Sequence, residues 1–480
     1  MSDIQNKNYM PNMTLENIAR ACEGTYVGSD EFYKELVTGV TIDSRKVEDG
    51  FLFIPIKGER VDGHDFIPQV FDQGAICVFS ERALENPKGP YILVDSTAQA
   101  LKQLAAFYRS SLDIKVVGIT GSVGKTSTKE MIASVLSQKY SVLKTAGNYN
   151  NEIGLPLTVF NIRAQHEVAV LEMGISDFGE MHRLAAVATP DLCVITNIGL
   201  CHLENLGTRD GILKAKTESF DHLNINGMAI LNGDDDKLST KKEVNGIPPI
   251  FYGVNQEPAL DENGNPMATK QVYATDLVNL GFEGTKATIH TPQGAVTVTI
   301  PIPGEHNVYN ALAATAVGLK LGLTIEEIAK GIETAETIAG RTNFLHLKEV
   351  TVIDDCYNAN PVSMAASLDV LSYAKGRSIA VLGDMGELGA NEKALHAGVG
   401  KVVGEKQITA LFAAGALAKE YAEAAKACNP ECEVFYYPER EDMTKALLSY
   451  VQPGDSILVK ASHFMEFPEV VKALQDKLGM

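Results

Sequence analysis

The stretch VVGITGSVGKTST, residues 116–128, is the strongest indication of the fold in this 480-residue chain. It opens with a continuously apolar run, which is typical of a strand buried on both faces of a parallel sheet. A glycine-rich turn and a helical run follow. Gly121 and Gly124 permit backbone angles that point successive N–H groups at a phosphate, and the helix N-terminus beyond them adds a favourable dipole. The stretch therefore predicts a phosphate-binding loop in an α/β domain.

Two side chains at the end of this loop suit nucleotide chemistry. Lys125 is placed to reach the β- and γ-phosphates of a nucleotide, and the Thr126 hydroxyl is placed to bind Mg²⁺. The spacing is GxxGKT, and Ile119 stands where the longer GxxxxGK[ST] pattern has its first glycine. An ordinary strand, turn and helix with an exposed lysine is the alternative interpretation.

Two later strand ends carry candidate metal ligands. Glu172 ends the apolar run Glu167–Glu172, and the carboxyl ends of parallel strands line the crevice of an open α/β sheet. A buried carboxylate needs a partner, and Mg²⁺ shared with Thr126 and ATP oxygens would supply one. A salt bridge at the sheet end is the alternative. His202 follows the run Leu192–Asn197 in the same way, although a lone histidine is more often structural.

A lysine-rich helical segment, Lys214-Ala-Lys-Thr-Glu, follows these strand ends. A protonated lysine cannot ligate a metal. Carboxylation by CO₂ would turn Lys216 into an anionic oxygen ligand, but its spacing from the other candidates does not reveal whether this happens.

The pattern on both sides of the loop predicts an α/β protein of three domains. Residues 1–109 form a small mixed α/β unit, residues 110–338 a central domain around a mostly parallel sheet, and residues 339–480 a Rossmann-like domain. Predicted strands of the second and third domains are Lys115–Ile119, Glu167–Glu172, Leu192–Asn197, Met228–Asn232, Val350–Ile353, Ser378–Leu382, Ile408–Phe412 and Ser456–Val459.

Two further patterns complete the prediction. Short alternating runs at Ala287–His290 and Ala295–Ile300 predict antiparallel hairpins attached to the central sheet. Helices are predicted over Asn307–Leu321, Pro361–Ala374 and Asn391–Val403.

Composition excludes several classes of protein. The net charge of -19, from 61 acidic and 42 basic residues, disfavours non-specific binding of nucleic acid. No apolar stretch is long enough for a membrane span, and no signal peptide is recognisable. The seven cysteines are scattered without a CxxC pair, which fits a reducing cytoplasm. We therefore expect a soluble cytoplasmic protein without a nucleic-acid partner.

The motifs together resemble the Mur ligases and folylpolyglutamate synthases. The stretches that carry this resemblance are GSVGKTS (121–127), NYNNEIGLP (148–156), LEMG (171–174), CHLENLG (201–207), AKTE (215–218) and GEHNVYNALAA (304–314). Within that group, four stretches resemble the members that add D-alanyl-D-alanine: DSRKVEDGFLFIPIKGERVDGHDF (43–66), GRTN (340–343), DDCYNANP (354–361) and LGDMGELG (382–389).

The resemblance implies a fold, a reaction and substrates. The fold is an N-terminal UDP-binding domain, a central P-loop ATPase domain and a C-terminal Rossmann-like domain. The reaction is the ATP- and Mg²⁺-dependent joining of D-alanyl-D-alanine to a UDP-N-acetylmuramoyl tripeptide through an acyl phosphate, in peptidoglycan synthesis, by a monomeric enzyme. Sister ligases that add a single amino acid, and a nucleotide-binding module without ligase activity, are the alternatives.

The resemblance also implies roles for residues. It places the nucleotide and its phosphates on Gly121, Ser122, Val123, Gly124, Lys125, Thr126, Ser127, Asn150, Asn151, Asn307, Asn310, Arg341 and Asp355. It assigns catalysis to Lys125, Glu172, His202, Lys216 and Arg341, with metal on Thr126, Glu172, His202 and a carbamylated Lys216. It assigns the other substrates to Ser44, Arg45, Asp62, His64, Tyr357, Asn358 and Asn360. One departure is Lys460-Ala-Ser-His, where the family often has KGSR.

Overall fold

A computed structural model describes residues 10–258, 260–261 and 263–479 and contains three β-sheets. The first sheet has the strand order β1-β5-β4-β3-β2, in which β2 to β5 are parallel and β1 is antiparallel to β5. Its elements are α1 (Leu15–Ala21), β1 (Thr25–Val27), β2 (Gly39–Thr41), β3 (Phe51–Phe53), α2 (Ile67–Asp72), β4 (Cys77–Ser80), β5 (Tyr91–Leu93) and α3 (Thr97–Ser110).

The central sheet has nine strands in the order β14-β13-β12-β11-β10-β9-β6-β8-β7. Its strands are β6 (Lys115–Thr120), β7 (Val142–Lys144), β8 (Val168–Glu172), β9 (Leu192–Ile195), β10 (Met228–Asn232), β11 (Ile250–Val254), β12 (Val272–Asn279), β13 (Thr285–Thr291) and β14 (Gly294–Ile300). Its helices are α4 (Lys125–Leu136), α5 (Gly154–Val159), α6 (Glu180–Ala188), α7 (Leu203–Leu206), α8 (Arg209–Thr217), α9 (His306–Lys320) and α10 (Ile325–Glu333).

The third sheet has the order β15-β16-β20-β17-β18-β19, and β15 is its antiparallel strand. Its strands are β15 (Asn343–Leu347), β16 (Val350–Asp354), β17 (Ser378–Gly383), β18 (Ala410–Ala414), β19 (Glu433–Tyr437) and β20 (Ser456–Lys460). Its helices are α11 (Pro361–Leu371), α12 (Glu392–Glu405), α13 (Ala418–Cys428), α14 (Arg440–Tyr450) and α15 (Pro468–Leu478). Within the described chain, no helix has the length and apolar character needed to cross a membrane.

All eight predicted strands exist, and some ends differ. The strand predicted to run to Asn197 ends at Ile195, because the next two side chains turn away to hold the phosphate loop. The strand predicted from Ile408 begins at Ala410, because the Ile408 N–H closes the end of helix α12 by donating to Val403 O. The helix predicted to reach Ala374 ends at Leu371.

The antiparallel hairpin predicted on the central sheet is confirmed. Strands β13 and β14 pair antiparallel from Thr285 with Ile300 to Thr291 with Gly294. Strand β12 joins them to the parallel part of the sheet, since it pairs parallel with β11 and antiparallel with β13.

Helix α3 fixes the first sheet to the central one. Leu104 and Tyr108 on this helix are fully buried in a core shared by both sheets. The Tyr108 hydroxyl donates to Ile162 O at 2.6 Å, and Arg109 Nε donates to Ala188 O at 3.1 Å. Buried polar groups that find partners across two units hold their relative position better than apolar contact alone.

Candidate active site between the central and C-terminal domains

The phosphate loop connects β6 to α4 and is held from the neighbouring strand β9. Gly121 has φ 149°, and a Cβ atom there would lie 1.9 Å from Thr196 Oγ1, so only glycine fits. The Thr196 hydroxyl donates to Val123 O at 2.6 Å, and Asn197 exchanges hydrogen bonds with the same Val123 backbone. Lys125 Nζ donates to Gly121 O at 2.8 Å. The loop is therefore rigid, and its lysine is held over it.

Glu172 lies beside the loop at the carboxyl end of β8, as predicted. Its side chain is buried, and Oε1 accepts from the Thr126 hydroxyl at 3.2 Å and from Asn150 Nδ2 at 2.8 Å. Its Oε2 atom accepts no hydrogen bond from the described residues. Lys129 Nζ is 3.9 Å away but is engaged by Glu130 and by a backbone carbonyl. A buried carboxylate oxygen without a donor is a site for a cation.

Lys216 is fully buried on helix α8, near Lys125 and His202. Its Nζ makes no ion pair or hydrogen bond with another residue that the structure describes. Burial lowers the pKa of Lys216 to about 8, and the charge of Lys125 adds to this effect. A buried amine without an acidic partner is costly to protonate, so a larger fraction of Lys216 is neutral near pH 7 than of an exposed lysine.

His202 follows β9 and begins helix α7 with φ 51°. Burial lowers the pKa of His202, the Glu387 carboxylate opposes that effect, and the charges of Lys125 and Lys216 reinforce it. Its Nδ1 atom lies 2.7 Å from Glu387 Oε2 on the C-terminal domain. In the part of the chain that the structure describes, no three His, Cys, Asp or Glu side chains converge as a metal site by themselves. The predicted metal positions therefore need the Thr126 hydroxyl, a modified lysine and phosphate oxygens as further ligands.

Arg341 reaches this site from the C-terminal domain. Its Nη2 lies 3.4 Å from Thr126 Oγ1, and its guanidinium carbon lies 4.1 Å from the ring centre of Tyr357. Gly340, with φ 76°, makes the turn that presents the arginine, and its N–H donates to Asp354 at 2.8 Å. Stacking on Tyr357 fixes the plane of the guanidinium.

Three cavities meet around these residues. The first, of about 480 Å³, is lined by Lys125, Asn150, Asn151, Glu152, Ile153, Glu172, Gly174, Ile175, Ser176, Glu180, His202, Arg341, Tyr357 and Asn358. The second, of about 170 Å³, lies between the phosphate loop and helix α11, and Val123, Gly124, Ser127, Asn310, Arg341 and Asp355 are among its lining residues. The third, of about 360 Å³, includes Ser122, Lys125, His202, Asn358 and Asn360. Most of the predicted nucleotide and catalytic residues therefore come together.

Asn307 lines none of these three cavities. It is buried, its Nδ2 donates to Pro303 O at 2.8 Å, and its Oδ1 accepts from Asn310 Nδ2 at 2.8 Å. Asn310 in turn accepts from the Thr128 hydroxyl at 2.7 Å. The pair ties helix α9 to helix α4 beside the phosphate loop.

The residues predicted for the UDP end lie apart from this cluster. Ser44 and Arg45 are in a short 3-10 helix, and Arg45 forms a two-point ion pair with Asp43 at 2.9 Å while its side chain stays 84% exposed. His64 is buried, with Nδ1 2.7 Å from Asp62 and Nε2 accepting from the Glu81 N–H. Both ring nitrogens are thus engaged inside the N-terminal domain. The substrate roles of these four residues stay predictions.

Sequence reasoning missed the part played by Lys460. Its Nζ lies 2.6 Å from Asp355 Oδ2 and also donates to Asn358 O at 3.1 Å, and both charged side chains are buried. The Ser462 hydroxyl accepts from the Gly386 N–H at 2.9 Å. The segment that departs from the family pattern therefore holds two loops of the site in place. The sequence shows the two acids at the end of β16, but it does not show that β20, which carries Lys460, is the neighbouring strand.

Three family models match successive parts of the chain. They describe the Mur ligase family catalytic domain (residues 36–109), the Mur ligase middle domain (119–318) and the Mur ligase glutamate ligase domain (340–463). The UDP-N-acetylmuramoyl-tripeptide--D-alanyl-D-alanine ligase of Bacillus subtilis (strain 168) is 39% identical over 466 residues, which cover 96% of this chain and 98% of that protein. The chain belongs to the Mur ligase family.

Solved structures of the family share the whole fold. MurF from Acinetobacter baumannii superposes with a TM-score of 0.84 at 33% identity, covering 96% of this chain and 98% of that one. The MurF ligase from Thermotoga maritima in complex with ADP gives 0.78 at 31% identity, covering 92% and 97%. The predicted family and the predicted three-domain α/β fold are therefore confirmed.

Proposed function

We propose that this chain is an ATP-dependent ligase that joins D-alanyl-D-alanine to a UDP-N-acetylmuramoyl tripeptide, in the synthesis of peptidoglycan precursors. One observation carries the ligase reaction. Lys125 and Glu172 from the central domain and Arg341 from the C-terminal domain line one cavity beside a phosphate loop. The choice of substrates rests on the relative from Bacillus subtilis, which is named for that ligation.

The reaction has two steps. A carboxylate is a poor electrophile, because its leaving group would be oxide. A carboxylate oxygen of the tripeptide attacks the γ-phosphorus of ATP, the bond to ADP breaks, and an acyl phosphate forms. The amine of the dipeptide then attacks the acyl carbon, loses a proton, and phosphate leaves. Two anions approach in the first step, so Lys125 and Arg341 act by lowering their repulsion.

Magnesium fits the residues present. Glu172 has a buried oxygen without a donor, and the Thr126 hydroxyl is 3.2 Å from its other oxygen. These two residues would hold one ion, as hard oxygen ligands suit Mg²⁺. When bound, Mg²⁺ neutralises phosphate oxygens during the transfer. His202 would contribute to a second position.

We infer that Lys216 carries a carbamate. The lysine is buried, and none of the described residues offers it an acidic partner. The charge of Lys125 lowers the pKa of Lys216, and the charge of Lys216 lowers the pKa of His202, so the three side chains lie close together. Addition of CO₂ to the neutral amine, with loss of one proton, gives an anion with two acceptor oxygens. That anion balances the local positive charge and supplies a ligand for a hard cation.

A phosphate-release assay tests the function. The purified chain is mixed with ATP, Mg²⁺ and UDP-N-acetylmuramoyl tripeptide, with and without D-alanyl-D-alanine. We expect phosphate release to depend on the dipeptide and to be low with single amino acids. Equal or faster turnover with a single amino acid would point to a sister ligase. ATP binding without any turnover would point to a nucleotide-binding module.

A further inference from the structure

A contact between two domains involves a residue to which no role has been assigned so far. Glu387 lies on the loop after β17, and its Oε2 is 2.7 Å from Nδ1 of His202 on the central domain. The His202 side chain is 24% exposed and that of Glu387 is 63% exposed. An ion pair this exposed adds little to stability, in general about 0–1 kcal/mol. The contact can instead affect which nitrogen of the His202 imidazole carries the hydrogen.

The contact favours one position for the hydrogen on the imidazole ring. A carboxylate oxygen of Glu387 2.7 Å from Nδ1 of His202 stabilises the form of the ring that carries its hydrogen on Nδ1. A histidine that ligates a cation does so as the neutral ring. A neutral ring with hydrogen on Nδ1 has its lone pair on Nε2. Nε2 is then the one ring nitrogen able to bind a cation.

The C-terminal domain holds Glu387 firmly. The Gly386 N–H donates to the Ser462 hydroxyl at 2.9 Å, and the Met385 N–H donates to His396 Nε2 at 3.0 Å. Leu388 is buried on the other side. Glu387 has φ 61°, a left-handed backbone conformation that costs energy for a residue with a side chain. Its contact partner His202 has the same kind of conformation, with φ 51°. The carboxylate is therefore presented by the fold of the C-terminal domain and moves with it.

We propose that Glu387 is a positioning residue that sets the tautomer of His202 for metal binding when the C-terminal domain lies against the central domain. The proposal rests on the proposed function, because it takes His202 as a metal ligand. A carboxylate that orients a ligating histidine in this way commonly contributes about 10–100-fold to metal affinity. It also ties completion of the metal site to the contact between the two domains.

Metal binding without turnover tests this proposal. Mn²⁺ is titrated into the enzyme with a non-hydrolysable ATP analogue, and bound ion is counted by electron paramagnetic resonance. Glu387→Ala is expected to weaken the affected Mn²⁺ site about tenfold or more. Glu387→Gln keeps an acceptor oxygen and should retain most of the affinity. Glu392→Ala, an exposed acid in the first turn of α12, is the matched control and should bind Mn²⁺ like the wild type.

A double-mutant cycle shows whether Glu387 acts through His202. If it does, Glu387→Ala changes nothing further in a His202→Ala background. The proposal would be overturned if Glu387→Ala bound Mn²⁺ with wild-type affinity. It would also be overturned if Glu387→Ala lowered the Mn²⁺ affinity equally in the wild-type and His202→Ala backgrounds. Failure of the wild-type chain to bind Mn²⁺ at all would instead contradict the proposed function. Circular dichroism should show the same melting curve for all of the Glu387 variants.

Discussion

Arg341 Nη2 lies 3.4 Å from Thr126 Oγ1, although the two residues are 215 positions apart in the chain. The arginine belongs to the C-terminal domain and the threonine to the phosphate loop of the central domain. A cation from one domain therefore lies beside the residue expected to bind metal on the other. The site is complete only when both domains contribute.

Replacing Arg341 should abolish most of the phosphoryl transfer. Arg341→Ala is expected to lower kcat by about 10³-fold or more, as for other arginines that act on a transferring phosphoryl group. Arg341→Lys should recover little, because a lysine does not stack on Tyr357 with a fixed plane. Phosphate release at saturating substrate concentrations measures both variants. A lysine variant with near wild-type kcat would show that charge alone suffices.

Replacing Lys125 should stop ligation and leave the fold intact. Among the described residues its Nζ makes one hydrogen bond, to Gly121 O, so Lys125→Ala removes charge from the loop without opening a core. We expect a loss of several powers of ten in turnover. Lys320→Ala, at the exposed end of α9, is the control for removing one positive charge. If Lys125→Ala keeps more than about a tenth of wild-type turnover, against the losses typical of such groups, the assignment of the loop is wrong.

Replacing Arg45 should weaken binding of the UDP substrate and leave binding of ATP unchanged. The residue is exposed on the N-terminal domain, away from the cavity that holds Lys125 and Glu172. Arg45→Ala is therefore expected to lower affinity for UDP-N-acetylmuramoyl tripeptide and leave ATP affinity nearly unchanged. Calorimetry with each ligand measures this, and Arg20→Ala on helix α1 is the control. An equal loss of affinity for both ligands would count against separate binding sites.

Lys216→Ala should be nearly inactive if the lysine carries a carbamate. Removal of CO₂ and bicarbonate should lower the activity of the wild type, and their return should restore it. A short carboxylic acid in solution should restore part of the variant's activity by filling the vacant ligand position. Lys214→Ala, two residues earlier on the same helix, is the control and should respond to CO₂ and to the carboxylic acid like the wild type. A crystal grown with bicarbonate, nucleotide and Mg²⁺ that shows a bare amine at Lys216 would refute the carbamate.

Lys460 should matter for stability as well as for the nucleotide pocket. Lys460→Met would leave the buried Asp355 carboxylate with Ser367 and one backbone N–H as donors. Removing one partner of a buried ion pair costs about 3–5 kcal/mol. We expect a lower melting temperature by calorimetry, and Lys472→Met, on helix α15, is the control. An unchanged melting temperature would show that Asp355 is neutral or reaches water in the variant.

Features carried by local sequence were predictable. The apolar run before Gly121 predicted strand β6, and the ends of the next strands predicted where Glu172 and His202 would lie. This works because parallel strands all present their carboxyl ends at one edge of the sheet. The family resemblance added Arg341, whose position beside Thr126 no local pattern reveals.

Contacts between distant segments were not predictable. The ion pair of Lys460 with Asp355 joins residues 105 positions apart on neighbouring strands, and sequence order does not show that β20 lies beside β16. The contact of His202 with Glu387 depends on how two domains face each other. Element ends also differed: the helix predicted to end at Val403 runs to Glu405, and the strand predicted from Ile408 begins at Ala410.

Isotope transfer reports on the acyl phosphate and on the ligation in one experiment. The tripeptide substrate is labelled with ¹⁸O in the carboxylate that accepts the phosphoryl group, and one turnover is run with ATP and D-alanyl-D-alanine. One labelled oxygen is expected to leave in the inorganic phosphate, and the dipeptide is expected to appear in the product by mass spectrometry. Phosphate without label, or a product lacking the dipeptide, would contradict the proposed reaction.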